Sequence, residues 1–325
     1  MSDETPSVRE LRPLDAASLS ACFRSCYGDT YPADVFYNVE RLAATIESGQ
    51  LRSVVAVTTA GRVIGHTGLT IRHPEALAIE AGNTVVDPDY RGHGLLGRLG
   101  AALTDLCSQA GYVGYLHYPT TAHEIMQKRS VSGSGVETGV MLAYIPAETD
   151  YRAAARTGGR LAATVVYQPM AGRTPPSRTL YLPARYQNLL TSLYSTLDLP
   201  RHFATAARSD IPKSQIRERF QPRRGLLHLH VLSLGSDLGG LVSQLRDQHQ
   251  PQIVHIDLPL DAAGMDQEID DLIDLGFCFC ALLPEFAHTD VLRLQWLADN
   301  DPALRSPELV NSGARVLLNR INAGL

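Results

Sequence analysis

Lysine is nearly absent from this chain: of 29 basic residues among 325, only Lys128 and Lys213 are lysine, and 34 acidic residues outnumber the bases. The formal net charge of −5 leaves no chain-wide basic field of the kind that nucleic-acid binding draws on. No run approaches the ~18 uninterrupted apolar residues that a membrane-spanning helix needs. The opening Met1-Ser2-Asp3-Glu4-Thr5 is acidic and lacks the basic-then-apolar order of a secretory signal. Five cysteines (Cys22, Cys26, Cys107, Cys278, Cys280) are odd in number and form no CxxC pair, which removes a disulfide framework and CxxC redox or zinc chemistry. These absences point to a cytoplasmic protein with neither nucleic acid nor membrane as partner. What is present is ordinary: 44% hydrophobic and 19% charged residues exclude a disordered chain. The length is more than twice that of a typical domain, so two domains are expected.

The first half alternates strand and helix patterns. Val8 to Leu11 is a short strand, Asp15-Ala16-Ala17-Ser18 supplies capping residues for a helix through Leu19, Cys22 and Phe23, and a second helix is predicted from Ala33 to Ile46. Leu51 to Thr58 and Val63 to Ile71 flank Ala60-Gly61-Arg62 as a hairpin. Leu77 to Val86 is a strand, and Leu95, Leu99, Leu103 and Leu106 recur at helical spacing. Val113 to Tyr118 is a strand parallel to Leu77 to Val86, followed by a helix from Ala122 to Arg129 and a strand from Thr138 to Ile145. From Pro146 to Arg160 the apolar pattern breaks, as in a linker. Beyond it, extended segments at Ala162 to Tyr167 and Thr179 to Leu182 and a helix ending before Pro200 lead into a strand at Leu226 to Leu234. A helix through Leu238 and Leu245, a strand at Ile253 to Leu258, a helix to Leu275 and a final strand pair then repeat the order of the first half. The fold class is α/β with mixed sheets, divided at 1–150 and 160–325.

The most informative stretch is Val86-Asp87-Pro88-Asp89-Tyr90-Arg91-Gly92-His93-Gly94-Leu95-Leu96, where a strand ends, a glycine loop turns and a long helix begins. Several N–H groups at one helix N-terminus point at one spot, Gly92 and Gly94 allow close approach, and Arg91 adds a permanent charge. That combination suits a pyrophosphate. The stretch resembles motif A of the GCN5-related N-acetyltransferases (GNAT), Val-x-Pro-x-Tyr-Arg-Gly-x-Gly followed by an apolar helix. The resemblance extends from Val8 to Pro146, and the second half looks like a degenerate copy, as in tandem GNAT proteins. Leu96 departs from the pattern, standing where the family keeps Gly or Ala.

The resemblance implies an acyl-CoA-binding first domain with acetyl-CoA as donor, no metal, and a small-molecule or peptide amine as acceptor. It implies that pantetheine pairs with the backbone near Thr84 and Val86, and that Arg91, Gly92, His93, Gly94, Leu95 and Leu96 hold the pyrophosphate. Glu80, four residues before Thr84 and on the same strand face, matches the place of a general base. The tyrosine that commonly protonates the departing thiolate is missing, because its place falls near Met126 or Gln127. Tyr118 and His123 are the nearby candidates, with His117 behind them. A thiolate of pKa near ~8.5 can also leave unaided. In the second half, Gly235-Ser236-Asp237-Leu238-Gly239-Gly240 occupies the loop position but brings Asp237, which would repel phosphate. His228, His230 and His255 lack a completing ligand for zinc and read as packing residues. Two other functions stay open: a non-catalytic acyl-CoA sensor, and a transferase using aminoacyl-tRNA as donor.

Overall fold

Among the described residues twelve strands hydrogen-bond into one sheet, and the two halves of the chain meet inside that sheet. The computed structural model describes residues 5–151, 158–205, 211–299 and 301–324. The expected linker from Pro146 to Arg160 lies partly outside the described residues, at 152–157.

The first half runs β1 (Ser7–Glu10), α1 (Ala16–Tyr27), α2 (Val39–Glu47), β2 (Leu51–Val57), β3 (Val63–Thr70), β4 (Ala78–Val86), α3 (Leu95–Gln109), β5 (Gly114–His117), α4 (Glu124–Ser130), β6 (Val136–Ile145) and β7 (Leu161–Pro169). The second runs β8 (Arg178–Leu180), α5 (Gln187–Leu197), β9 (Arg201–Phe203), β10 (Gln215–Gln221), β11 (Leu226–Ser233), α6 (Leu238–His249), β12 (Ile253–Pro259), α7 (Asp266–Asp274), β13 (Cys278–Leu283), β14 (Val291–Leu297) and α8 (Ser312–Asn322).

The helix expected from Ala33 to Ile46 divides in two. A 3-10 turn covers Asp34–Tyr37, and Asn38, its side chain accepting from the Arg41 N–H at 2.8 Å, starts α2 afresh. Asp15 does not cap α1 with its side chain. Its carboxylate takes the Arg12 N–H at 2.8 Å and both terminal nitrogens of Arg9 instead. Two larger elements carried no readable pattern. β10 is a polar edge strand, Gln-Ile-Arg-Glu-Arg-Phe-Gln, and α8 follows a proline-rich stretch at the end of the chain.

Sheet order is β1-β2-β3-β4-β5-β7-β6-β13-β14-β12-β11-β10, and β8 pairs with β9 apart from it. β4 and β5 are parallel, as the sequence predicts, and so are β11 and β12. The order β4-β5-β7-β6 therefore recurs as β11-β12-β14-β13 on the other side of the junction. β7, which sequence reading assigns beyond the 150–160 boundary, inserts between β5 and β6 and pairs with both. The reason is topological: β5 and β6 leave a gap, and the buried apolar run Ala162 to Tyr167 fills it.

At the junction β6 and β13 share one register pair, Ala281 with Gly139. A Cβ on Gly139 would run into the Cys280 carbonyl and Ala281, so this close approach requires glycine. The Gln295 side chain on β14 binds the pair together. Its Nε2 donates to the Val140 and Phe279 carbonyls, each at 3.0 Å, and its Oε1 accepts the Leu142 N–H at 2.9 Å. α8 closes over β6, where buried Glu137 accepts the Ala314 N–H at 2.7 Å and Asn311 Nδ2 at 2.9 Å. A carboxylate at that helix start opposes its positive dipole end. All five cysteines are free thiols.

Candidate active site

β4 and β5 pair only from Ala78 with Gly114 to Ala81 with His117. Beyond Ala81 the two strands have no shared register, and the remainder of β4 is held on its other side by β3. A register shift on the β3 side falls where Asn83 adopts φ of 55°, a left-handed conformation uncommon for a side-chain-bearing residue. The neighbourhood fixes that bulge three ways. Tyr31 Oη donates to Asn83 Oδ1 at 2.8 Å, His66 Nδ1 meets the Asn83 carbonyl at 2.7 Å, and Thr67 and Thr84 hydroxyls bond at 2.8 Å. Sequence reading placed Thr84 and Val86 here but passed over Asn83 and Tyr31. A bulge leaves no periodic signature.

After β4, a 3-10 turn at Pro88–Tyr90 leads to Gly92 at φ of 82° and Gly94 at φ of 71°, which starts α3. Among the described residues no acceptor meets the N–H groups of Gly92, His93, Gly94, Leu95 or Leu96. Such a row of donors at a helix start is an anion cradle. A side chain at Gly92 or Gly94 would enter open space, so these glycines serve backbone conformation and approach rather than packing. Leu96, the departure from the expected pattern, is half-buried within α3. Arg91 folds back, its Nε donating to the Val86 carbonyl at 3.2 Å. Arg98 turns away to the Pro6 carbonyl at 2.7 Å. The cation over the first turns of α3 is instead Arg129 of α4, whose Nη2 would lie 3.7 Å from a Cβ on Gly97 and 3.8 Å from one on Gly100. Only the fold could pair α3 with α4 in this way.

The corresponding loop of the second half is closed. The Gly235 N–H donates to Ser214 Oγ and the Ser236 N–H to the Ile211 carbonyl, both at 3.0 Å, and the Ser214 N–H donates to Asp237 Oδ1 at 2.6 Å. The Gly235, Ser236 and Leu238 N–H groups are spent, and a carboxylate sits among them.

Glu80 is half-buried on β4, in register with Leu116 and Thr70. Arg72 grips its carboxylate from Nε to Oε2 at 3.0 Å and from Nη2 to Oε1 at 3.3 Å. Burial pushes the Glu80 pKa up, but the charges of Arg72, Arg224 and Arg293 outweigh it and hold the group below the ordinary carboxylate range. Tyr118, just past β5, has a buried hydroxyl with no partner, and burial beside Glu80 keeps the phenol firmly protonated. His123 precedes α4 with its ring 5.1 Å from Tyr151, and burial and Arg91 lower its pKa. His117 is one residue from Leu116 and so on the sheet face opposite Glu80. Burial lowers its pKa to about 4. Near Met126 and Gln127 there is no tyrosine. Gln127 instead ties α4 to the C-terminal segment, accepting the Val310 N–H at 3.1 Å. Tyr151 was missed by sequence reading because it stands in an apparent linker, yet it packs on Tyr27 and His123.

Groups of the second half lie close to the Glu80 carboxylate, near enough for Arg224 and Arg293 to lower its pKa. His228 Nε2 meets Asp257 Oδ2 at 2.6 Å, and Arg293 clamps the same carboxylate at 2.6 and 2.8 Å. His255, buried, stacks on Tyr144 with ring centroids 5.8 Å apart and planes at 9°. Tyr144 in turn meets Tyr118 edge-on at 6.3 Å. Among the described residues no group of three or more His, Cys, Asp or Glu side chains could hold a metal ion, and no helix is long and apolar enough to cross a membrane.

No curated protein sequence matches the chain. Among solved structures, it is similar to a GNAT superfamily phosphinothricin acetyltransferase from Sinorhizobium meliloti in complex with acetyl-CoA: 18% identity, 53% of this chain and 94% of that one, TM-score 0.41. It is also similar to a GCN5-related N-acetyltransferase from Kribbella flavida, at 22% identity, 51% and 98% coverage and TM-score 0.40. A ribosomal-protein-S5-alanine acetyltransferase from Vibrio fischeri gives 16%, 54% and 98%, and 0.42. Residues 16–128 match the sequence model of the acetyltransferase (GNAT) family, a span that holds the β4–β5 divergence, the glycine loop and α3. Residues 16–128 of this chain are accordingly a domain of the GNAT acetyltransferase family.

Proposed function

We propose that the chain is an acetyl-CoA-dependent N-acetyltransferase acting on a primary amine of a small molecule or peptide. The first half would hold the donor and the second would complete the acceptor cleft. One observation carries this reading: the diverging strands, the Asn83 bulge and the unengaged N–H groups of residues 92–96 lie in sequence along a single β4-loop-α3 unit. The residues fit the donor. The loop N–H groups and the Arg129 guanidinium suit its pyrophosphate, and the edge of β4 near Thr84, which β5 leaves unpaired, suits its amide-bearing arm. Bound there, acetyl-CoA supplies an acetyl thioester for direct attack by the amine.

The chain's own task is proton management. An alkylammonium of pKa near ~10 must lose a proton before it can attack. Glu80, held ionised by Arg72, orients the ammonium and takes its proton directly or through water. Tyr118 Oη, neutral and without another partner, donates a hydrogen bond to the departing sulfur. His123 is the neutral alternative. The decisive experiment is thiol release from acetyl-CoA against a panel of amines, amino acids and peptides. Amine-dependent release is expected. Tight CoA binding without release to any acceptor would make the protein a binding module instead.

A further inference from the structure

The region around Glu80 carries more positive charge than its carboxylates neutralise. Both carboxylates are fully engaged, Glu80 by Arg72 and Asp257 by Arg293. Two arginines remain. Arg219 on β10 stands in register with His228, so their side chains share one face of the sheet. Arg219 is exposed, among the described residues no hydrogen bond or ion pair reaches its guanidinium, and partial desolvation together with the field of Arg72 lowers its pKa. Arg224 follows the Pro222–Arg224 turn and lies over the Tyr144 ring at 4.4 Å, with only a 3.4 Å contact from Nη1 to the Tyr144 carbonyl. Arg219 and Arg224 are linked through a register pair and a chain of ring contacts. His228 meets His255 edge-on at 6.3 Å, and His255 stacks on Tyr144. A second observation points to a ligand: His255 is 1% exposed, and its Nε2 has no hydrogen-bond partner. A buried ring nitrogen left unpaired is costly unless something polar meets it.

Resting on the acetyltransferase reading, we propose that the acceptor amine also carries an anionic group, a carboxylate or a phosphate, which Arg219, Arg224 and His255 Nε2 bind while the amine reaches Glu80. Specificity would then reside in the second half, and donor binding in the first. A polycationic acceptor would set like charges against two unpaired guanidiniums, so this class is excluded.

Two measurements on the full chain test this. The first compares matched acceptors by thiol release: glycine with glycinamide, phosphoethanolamine with ethanolamine, and spermidine as the cationic control. The anion-bearing member of one pair should lead in kcat/KM by about tenfold or more, and the pair that shows it identifies carboxylate or phosphate as the source. Arg219→Gln and Arg224→Gln should raise its KM about tenfold with CoA affinity held within about threefold, since both sit outside the glycine loop. Neutral members or spermidine turned over equally well would overturn the proposal. The second titrates inorganic phosphate and acetate calorimetrically into the CoA-saturated chain. A saturable site lost in the Arg219→Gln/Arg224→Gln double variant is expected. Absence of saturable binding for both anions, or binding untouched by the double variant, would equally overturn it. A chain that binds no CoA would count against the acetyltransferase reading alone, because the phosphate and acetate titrations on the free chain still decide the anion site.

Discussion

Arg72 and Glu80, eight residues apart in sequence, form a two-point ion pair at 3.0 and 3.3 Å. The pair bears on the role proposed for Glu80 as a base. A carboxylate held below the ordinary range is a modest proton acceptor, but its negative charge suits it to hold an ammonium in place. Glu80→Gln keeps size and removes the charge, so kcat with an amine acceptor should fall about 10²-fold, the lower end for general-base loss. Rising pH should restore part of the rate as free amine accumulates towards pH ~10. Acetyl-CoA affinity should change by less than about threefold. Overlaid pH–rate profiles for both proteins would remove Glu80 from the mechanism.

One acetyl-CoA should bind per chain. The first loop offers five unengaged N–H donors, whereas the second has spent Gly235 and Ser236 on Ser214 and Ile211 and carries Asp237. Gly94→Glu should abolish binding measured by calorimetry. Its φ of 71° strains any side chain, and its charge repels phosphate where a Cβ alone would meet nothing. A stoichiometry of two, or binding that survives the substitution, would refute this.

The glycine loop was legible because its chemistry is local: a strand end, Arg91, Gly92, Gly94 and an apolar helix follow one another within one βα unit. The parallel β4–β5 and β11–β12 pairs were legible for a similar reason, because strand, helix and strand leave few ways to connect. What was illegible is long-range. Ala162 to Tyr167 looks the same whether it opens a second domain or fills the gap between β5 and β6, and only the pairing partners distinguish them. Arg72, Asn83, Tyr144, Tyr151 and His255 reach the site through turns, a bulge and the sheet junction, none of which has a periodicity. β10 reads as a charged loop because its polar residues face solvent and the cleft.

Acid should destabilise the fold well before carboxylates titrate. Burial lowers His66, His73 and His117 from 6.5 to about 4. Each is neutral when folded but takes a proton near pH 6.5 when unfolded. The stability tied to these rings is therefore complete above pH 6.5 and is lost as pH falls towards 4. Below that, Glu80 and Asp257, whose pKa values are lowered, begin to lose theirs. Thermal unfolding midpoints should be level from pH 8 to 7 and drop steadily between about 6.5 and 4. A level midpoint down to pH ~4.5 would contradict these protonation states.

A fragment ending at residue 160 should not fold cooperatively. It lacks β7, and so leaves β5 and β6 with open edges at the centre of the sheet. It also loses α8, whose buried contacts with Glu137 cover β6. Unpaired apolar edges aggregate. Extending the fragment through Pro169 restores β7 but still exposes the Gly139 edge, so solubility should improve only in part. A sharp melt and acetyl-CoA binding by the 1–160 fragment would show that the first half does not depend on β7.

Gln295 should be among the most sensitive polar residues of the fold. Direct pairing between β6 and β13 is a single register pair, so the halves are held there by its three side-chain bonds to Val140, Phe279 and Leu142. Gln295 is wholly buried, and no water can replace a lost partner without the sheet opening. Gln295→Leu keeps volume and apolar contact but strands two carbonyls and one N–H, each costing about 1–3 kcal/mol when left unsatisfied. Partial relaxation of the junction should bring the total loss to about 3–5 kcal/mol, read from chemical denaturation as a lower midpoint. The denaturant slope distinguishes two outcomes. An unchanged slope means that the sheet still unfolds as one unit, whereas a second transition means that the halves have come apart at β6 and β13. Gln295→Glu should be worse than Leu, because an added buried charge faces the Val140 and Phe279 carbonyls with no donor of its own. A loss under about 1 kcal/mol for Gln295→Leu would mean that side-chain packing, not these three bonds, joins the two halves.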